Sequence, residues 1–244
     1  VAVVSKSILL DESMGRLNLD LQQQTTRLNK QGVYRDSSTI CIMPSKDGHI
    51  HLRVANSWFN LMPPMNQKFY RLPVVNMEIG EAYNQTFQQI VEHPGLNTFK
   101  YILTLENDNI PPPDGLIKLL ENMDQVDVVG GLYWTKGELG QPMIYGDPEL
   151  VPLNFWPQPP KQECLQRCNG LGMGFTLFKL DIFKDARLTK PWFKTVQGME
   201  EGRGMGMWTQ DLYFFEKAVG LGYRIGCDTR VKVGHFSEQE DIVW

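Results

Sequence analysis

From Ser38 onward, short apolar runs alternate with amphipathic stretches, and turn residues punctuate each change. Thr39 to Met43 is β-prone and is stopped by Pro44; after a polar loop, a helical period sets in from about Ile50 to Leu61. "KFYRLPVVNMEIG" reads as a second strand with a loop, and "EAYNQTFQQIVEH" as a second helix broken at Pro94-Gly95. "FKYILTLE" is a third strand, "PDGLIKLLENM" a third helix capped by Asp114, and "VDVVGGLYW" a fourth strand. Strands alternating with helices predict an α/β fold, with a mainly parallel central sheet flanked by helices.

Beyond Trp134 the alternation lapses. Residues 136–163 are rich in Pro, Gly and aromatics and predict loops with a short hairpin; Pro152 to Pro160 is expected to shape one side of any site. "CNGLGMGFTLFKLDIF" returns to strand and then helix, and "VQGMEEGRGMGM" reads as a glycine-rich loop able to act as a lid. "WTQDLYFFEKAVGLGY" is a helix, and "RIGCDTRVKVGHF" closes with strand residues and a histidine. Ahead of all this, Ser7 to about Gly32 is polar with spaced leucines and predicts one or two weak helices. The expected organisation is an N-terminal helical extension, residues 1–37, serving as packing or oligomer contact, followed by one domain, residues 38–244.

Composition narrows the function. The 244 residues are 42% hydrophobic, enough for a sizeable core, and the net charge of −4 with scattered Lys and Arg disfavours nucleic acid as a partner. An anionic substrate would therefore need a locally positive site or a bound cation. Cys41, Cys164, Cys168 and Cys227 form no Cys-x-x-Cys pair, so unpaired thiols are expected, and Cys164 with Cys168 lacks the second half of a zinc site. No stretch approaches the roughly 20 apolar residues of a membrane span. Val1 to Val4 is too short for a signal peptide and lacks a cationic start. A soluble, cytoplasmic protein is the expectation; an initial Val in place of Met fits processing, or a piece of a longer protein.

The acidic cluster Glu106-Asn107-Asp108-Asn109 directly follows the apolar run Tyr101 to Leu105. Ligands of open α/β sheets bind beyond the carboxyl ends of the strands, where loops diverge. A polar turn before a helix explains Asp114 well and Glu106 poorly, because a partly desolvated carboxylate needs a cation or donors beside it. In an extended segment, Glu106 and Asp108 would project to one side, a pair of hard oxygen donors suited to Mg²⁺ or Mn²⁺ shared with phosphates. Asp211, in Trp208-Thr209-Gln210-Asp211, opens a late helix, and His235 ends a β-prone run as a candidate third ligand.

Together these segments resemble the GT-A glycosyltransferases of the family-2 kind, nucleotide-sugar enzymes with a Rossmann-like sheet, over roughly residues 38 to 240. The resemblance implies a divalent metal, Mn²⁺ or Mg²⁺, on Glu106, Asp108 and His235, with Glu106 standing where the family has Asp. It implies Asp211 as the catalytic base and Gln210 beside it where the family has Glu. Pro44, Ser45, Asp47, Asn84 and Asn107 are the implied nucleotide contacts; Tyr83 replaces an arginine expected against the phosphates. Gly170 and Gly172 belong to a strand similar to the one that faces the transferred sugar, where absent side chains would let the sugar approach the backbone. Trp134 and Trp208, with Tyr133, are candidates to stack on sugar or acceptor rings.

The implied reaction moves a hexosyl-type sugar from a nucleoside-diphosphate donor to a hydroxyl of a glycan, lipid or protein acceptor, with inversion through Asp211. The fold alone does not decide between inversion and retention. A carbohydrate- or nucleotide-binding module that lost its chemistry is one alternative, favoured by Gln210 and Tyr83. A sugar-nucleotide nucleotidyltransferase is another, although Pro44-Ser45-Lys46-Asp47-Gly48 is a poor triphosphate loop. A P-loop enzyme is excluded, since no G-x-x-x-x-G-K-[ST] occurs.

Overall fold

The computed structural model describes residues 36–65, 67–200 and 204–244, with the backbone alone for 197–200 and 204–208. The expected N-terminal extension, residues 1–37, therefore lies outside the described residues except for its last two.

In chain order the chain forms β1 (Thr39–Ser45), α1 (Leu52–Asn60), β2 (Phe69–Val75), α2 (Ile79–Glu92), β3 (Tyr101–Leu105) and β4 (Asn109–Ile110). Then come α3 (Gly115–Glu121), β5 (Val128–Leu132), β6 (Ile144–Tyr145), β7 (Leu165–Cys168), β8 (Gly170–Leu171) and β9 (Phe175–Lys179). The last elements are β10 (Val196–Glu200), β11 (Gly204–Trp208), α4 (Gln210–Gly220), β12 (Ile225–Lys232), β13 (Gly234–Ser237) and β14 (Ile242–Val243).

Seven strands form the central sheet in the order β2-β1-β3-β9-β5-β12-β7. β1 is parallel to β2 and β3, and β12 to β5. β9 lies antiparallel between β3 and β5, and β7 antiparallel on the β12 edge, so five of the seven strands run one way. Both faces of the sheet are covered, which is why its central strands are apolar at nearly every position. The register partners Ile102, Phe178 and Val128 face one core, and the next row, Leu103, Leu177 and Val129, faces the other.

The first core is aromatic. The buried positions of α2, Ala82, Tyr83, Thr86, Phe87 and Ile90, recur at helical spacing. They meet Phe214 and Phe215 of α4, and the Phe87 ring lies 4.4 Å from Phe183 and 5.1 Å from Phe193. The second core joins Leu116 and Leu119 of α3 to Phe175 and Val231. Asp114 makes no capping hydrogen bond for α3 and is paired with Lys118 across 2.6 Å. Cys41, Cys164, Cys168 and Cys227 are unpaired thiols, and burial pushes Cys41 and Cys168 up to about 12.

Three segments differ from the sequence reading. Residues expected to begin a helix after β9 make a 3₁₀ turn, Leu180–Lys184. The expected glycine-rich lid is an antiparallel hairpin, β10 paired with β11 from Val196↔Trp208 to Glu200↔Gly204, because Gly and Met alternate there with the period of a strand. His235 does not end the last core strand: it sits in β13, paired with β14 and with β4 at Gly234↔Ile110 and His235↔Asn109. This small three-stranded sheet fastens the chain just after β3 to residues 234–243.

Candidate active site

The segment after β3 turns sharply. Glu106 N donates to the Gly174 carbonyl at 3.1 Å, and Asn109 N to the Glu106 carbonyl at 3.1 Å, so Glu106-Asn107-Asp108 forms a turn and not the extended pair of ligands expected. The two carboxylates consequently take different partners. Glu106 Oε1 accepts from the Tyr83 hydroxyl at 2.8 Å. Burial, then the neighbouring Asp108 charge, push its pKa up to about 7 against the pull of that hydrogen bond. Asp108 Oδ2 receives the Lys136 ammonium at 2.6 Å and faces His235 Nε2 at 3.3 Å. Burial works to raise Asp108, but the bonds to His235 and Lys136 prevail and hold it below the usual carboxylate range.

His235 is oriented from behind. Its Nδ1 lies 2.7 Å from the Trp134 carbonyl, which can only accept, so Nδ1–H donates there and Nε2 is the atom that faces Asp108. Its ring meets Tyr133 edge-on at 5.5 Å. Tyr133 is itself buried, and its hydroxyl accepts from Gly174 N at 2.8 Å, which removes it from ring stacking with a sugar. Trp134 is partly buried against the aromatic core and bridges Pro142.

Asp211 opens α4, buried to 6% exposure, with Oδ1 accepting from Leu212 N at 2.9 Å and from the Thr209 hydroxyl. Burial raises its pKa in spite of these bonds. Its charge reaches the rest of the cluster: besides burial, it helps raise Glu106, Tyr83, Tyr133 and Tyr145. Gln210 is next to α2, where a Cβ on Gly80 would lie 3.5 Å from Gln210 Cβ. The Trp208 side chain is outside the described residues.

The loop after β1 belongs to the same end of the sheet. Asn107 Nδ2 lies 3.4 Å from both Ser45 Oγ and the His49 carbonyl, and Ser45 Oγ donates to that carbonyl at 2.9 Å. Asp47 Oδ1 accepts from His49 N at 3.0 Å, so Ser45, Asp47 and Asn107 form one polar rim. Two expected nucleotide contacts are placed elsewhere. Pro44 is a buried residue of β1 opposite Val74, beyond the end of the β1–β3 pairing, where its missing N–H costs nothing. Asn84 gives its whole amide to the backbone: Oδ1 accepts from Trp192 N and Phe193 N at 2.8 and 3.0 Å, and Nδ2 donates to the Gly80 and Phe193 carbonyls. Its role here is to anchor residues 192–193.

The glycine-rich strand is crowded by the protein itself. A Cβ on Gly172 would overlap the Tyr133 hydroxyl and Met143, one on Gly174 the Asn109 amide, and one on Gly170 would touch Phe155 at 3.1 Å. These glycines admit side chains of this chain, which is a sufficient reason for them without a sugar.

Glu106, Asp108 and His235, the expected metal ligands, lie at one end of the sheet but do not form a common cage. Among the described residues, no group of three or more His, Cys, Asp and Glu side chains is arranged to hold a metal ion. Glu106 is engaged by Tyr83, and an ammonium already stands 2.6 Å from the carboxylate oxygen that faces His235. This donor set does not fit a resident divalent ion. Lys136 is the residue that sequence reasoning missed. A lysine just past the carboxyl end of the fourth strand was the available signal, but its approach to Asp108 depends on how the loop closes.

No family model and no curated protein matches this sequence. Among solved structures, the crystal structure of A197 from STIV aligns with TM-score 0.58 at 18% identity, over 84% of this chain and 92% of that one. With the topology above, that likeness shows the Rossmann-like GT-A fold. S. aureus TarS residues 1–349 aligns with TM-score 0.43 at 14% identity, over 78% of this chain and 57% of that one. The same fragment in complex with UDP-GlcNAc gives 0.39 at 12%, over 78% and 55%.

Proposed function

We propose that the protein is a glycosyltransferase that moves a sugar from a nucleoside-diphosphate donor to an acceptor hydroxyl. The observation that carries this reading is the convergence of Asp211, Glu106, Asp108, His235 and the Ser45–Asp47–Asn107 rim at the carboxyl end of one α/β sheet. Four separate stretches of sequence supply them, and a fold-only account gives no reason for one buried and two partly buried carboxylates to gather there.

In this reading the nucleoside lies against the polar rim, its diphosphate toward Asp108, His235 and Lys136. Asp211 accepts the proton of the acceptor hydroxyl as that oxygen bonds to the anomeric carbon. The carbon's bond to the diphosphate breaks with its electron pair leaving on the phosphate oxygen, and the configuration inverts. A base raised above the ordinary Asp range by burial is better matched to a neutral working pH than a surface carboxylate. Aligned donors around the leaving oxygen supply the electrostatic share of the rate.

The test is a thermal-shift panel of UDP, GDP, CDP and dTDP sugars, with and without Mn²⁺, followed by turnover of the donor that binds. Stabilisation by one nucleotide class, followed by sugar release or transfer, supports the reading. Binding without turnover would instead favour a nucleotide- or carbohydrate-binding module, and no shift with any donor would remove the donor site.

A further inference from the structure

Lys136 is delivered to Asp108 by a loop closed on itself. Trp134 bridges Pro142, Thr135 N donates to the Gln141 carbonyl at 2.9 Å, and Gln141 N returns to Thr135 Oγ1 at 2.9 Å. Gly140 N bonds the Gly137 carbonyl at 2.9 Å, and Gly137 takes φ +102°, a value that favours glycine. The stem is tied to the site as well, because the Trp134 carbonyl is the group that orients His235. The ammonium is thus presented by a braced turn to the carboxylate that faces His235. Its side chain remains 35% exposed and Asp108 32%, so a ligand can reach both.

We propose that Lys136 is the cation of the diphosphate subsite and stands in the place of a divalent ion. This rests on the donor reading above. Before the donor binds, the ammonium neutralises Asp108, which keeps a carboxylate from repelling the incoming diphosphate. On binding, it turns from Asp108 Oδ2 to a phosphate oxygen a few ångströms away, a small rotation for a flexible four-carbon side chain. When the bond to the anomeric carbon breaks, the negative charge left on the diphosphate is met by this ammonium and by His235. No proton moves to or from Lys136. A divalent ion held between Asp108 Oδ2 and His235 would have to displace the ammonium, so the two compete for that oxygen.

The experiment measures binding of UDP, GDP, CDP and dTDP to the full chain by calorimetry, once in EDTA and once in Mn²⁺, for wild type, Lys136→Gln, Lys136→Arg and Asp108→Asn. The expected result is binding of one nucleotide by wild type in EDTA, weakened about 10- to 100-fold by Lys136→Gln as for loss of a charged hydrogen bond. Lys136→Arg should restore most of it, and Asp108→Asn should tighten it by freeing the ammonium. Wild type that binds only in Mn²⁺, with Lys136→Gln equal to it there, overturns the inference while leaving the donor site intact. Absence of binding in either buffer overturns the donor reading and this inference with it. The wild-type comparison of the two buffers decides the matter even if a variant fails to fold.

Discussion

The Tyr83 hydroxyl donates to Glu106 Oε1 across 2.8 Å, tying the first buried face of α2 to the carboxylate that follows β3. The resemblance read from the sequence implies an arginine at the position of Tyr83 and Asp at that of Glu106. In this chain the two unfamiliar residues are partners. A neutral phenol beside the carboxylate, in place of a guanidinium, leaves burial free to push Glu106 up to about 7.

Tyr83→Phe should therefore destabilise the protein more at pH 8 than at pH 5. Glu106 has a folded pKa above its unfolded value of about 4.3, so its favourable contribution is present below that value and is lost as the pH rises through about 7. Removing the hydroxyl pushes the folded value higher still and enlarges the loss, by about 1–3 kcal/mol for a buried carboxylate short of a donor. Glu106→Gln should act oppositely, with its most favourable effect at pH 8. Urea denaturation of both variants at the two pH values checks this, and an effect independent of pH would show that the pair is not ionic in character.

Asp211→Asn should reduce turnover about 10²- to 10⁴-fold, the usual contribution of a positioned base. The asparagine oxygen can still accept from Leu212 N, so nucleotide affinity and unfolding midpoint should change little. Paired measurements of turnover and binding separate the roles. A normal rate with a lowered midpoint would make Asp211 a helix-terminal residue and nothing more.

The segments that build the sheet are legible because burial on both faces makes them apolar, as in Thr39–Met43 and Tyr101–Leu105, although the first strand runs on through Pro44 to Ser45. The second helix, read from its period as Glu81 to His93 and ended by Pro94-Gly95, spans Ile79–Glu92. Asp108 and His235 stand out in the sequence because each follows a β-prone run, and Asp211 because it opens a helical one. Lys136 was not found, since its partner lies 28 residues away and only the closure of the loop brings them together. Asn84, a nucleotide contact only by the resemblance, is instead tied to the backbone of residues 192–193, more than a hundred positions on, which sequence spacing does not reveal. The paired strands Val196–Glu200 and Gly204–Trp208 look like a loop by their glycine content, and only the two-residue alternation of Gly and Met points to strands.

Gly174→Ala should cost more stability than Gly170→Ala, although both lie in the glycine-rich stretch. At Gly174 the added methyl would overlap the Asn109 amide, which is fully buried and has no room to retreat. Overpacking of this kind costs about 1–3 kcal/mol. At Gly170 the nearest atoms, from Phe155 and Leu212, begin at 3.1 Å and can give by a few tenths of an ångström. Thermal unfolding of the two variants is the check, and equal losses would refute the account based on close approach.

Asp127→Asn should destabilise the protein at neutral pH and have almost no effect in strong acid. Asp127 lies at the start of β5, away from the carboxyl ends of the parallel strands, and holds three strands together. Oδ1 takes the Lys179 ammonium at 2.7 Å, and Oδ2 accepts from Arg224 N and Nε at 2.9 and 3.3 Å. Burial would raise its pKa, but the bonds from Arg224 and Lys179 outweigh it and hold the group at about 2. The unfolded value is about 3.9, so the stabilisation is complete above that and is lost as the pH falls through about 2. Allowing for the partial exposure of both cations, the substitution should cost about 1–2 kcal/mol at pH 7. That cost should shrink steadily below pH 4 in a urea series. Because the asparagine oxygen can still accept from Arg224 N, a cost that stayed constant down to pH 2.5 would mean that charge does not carry the clamp.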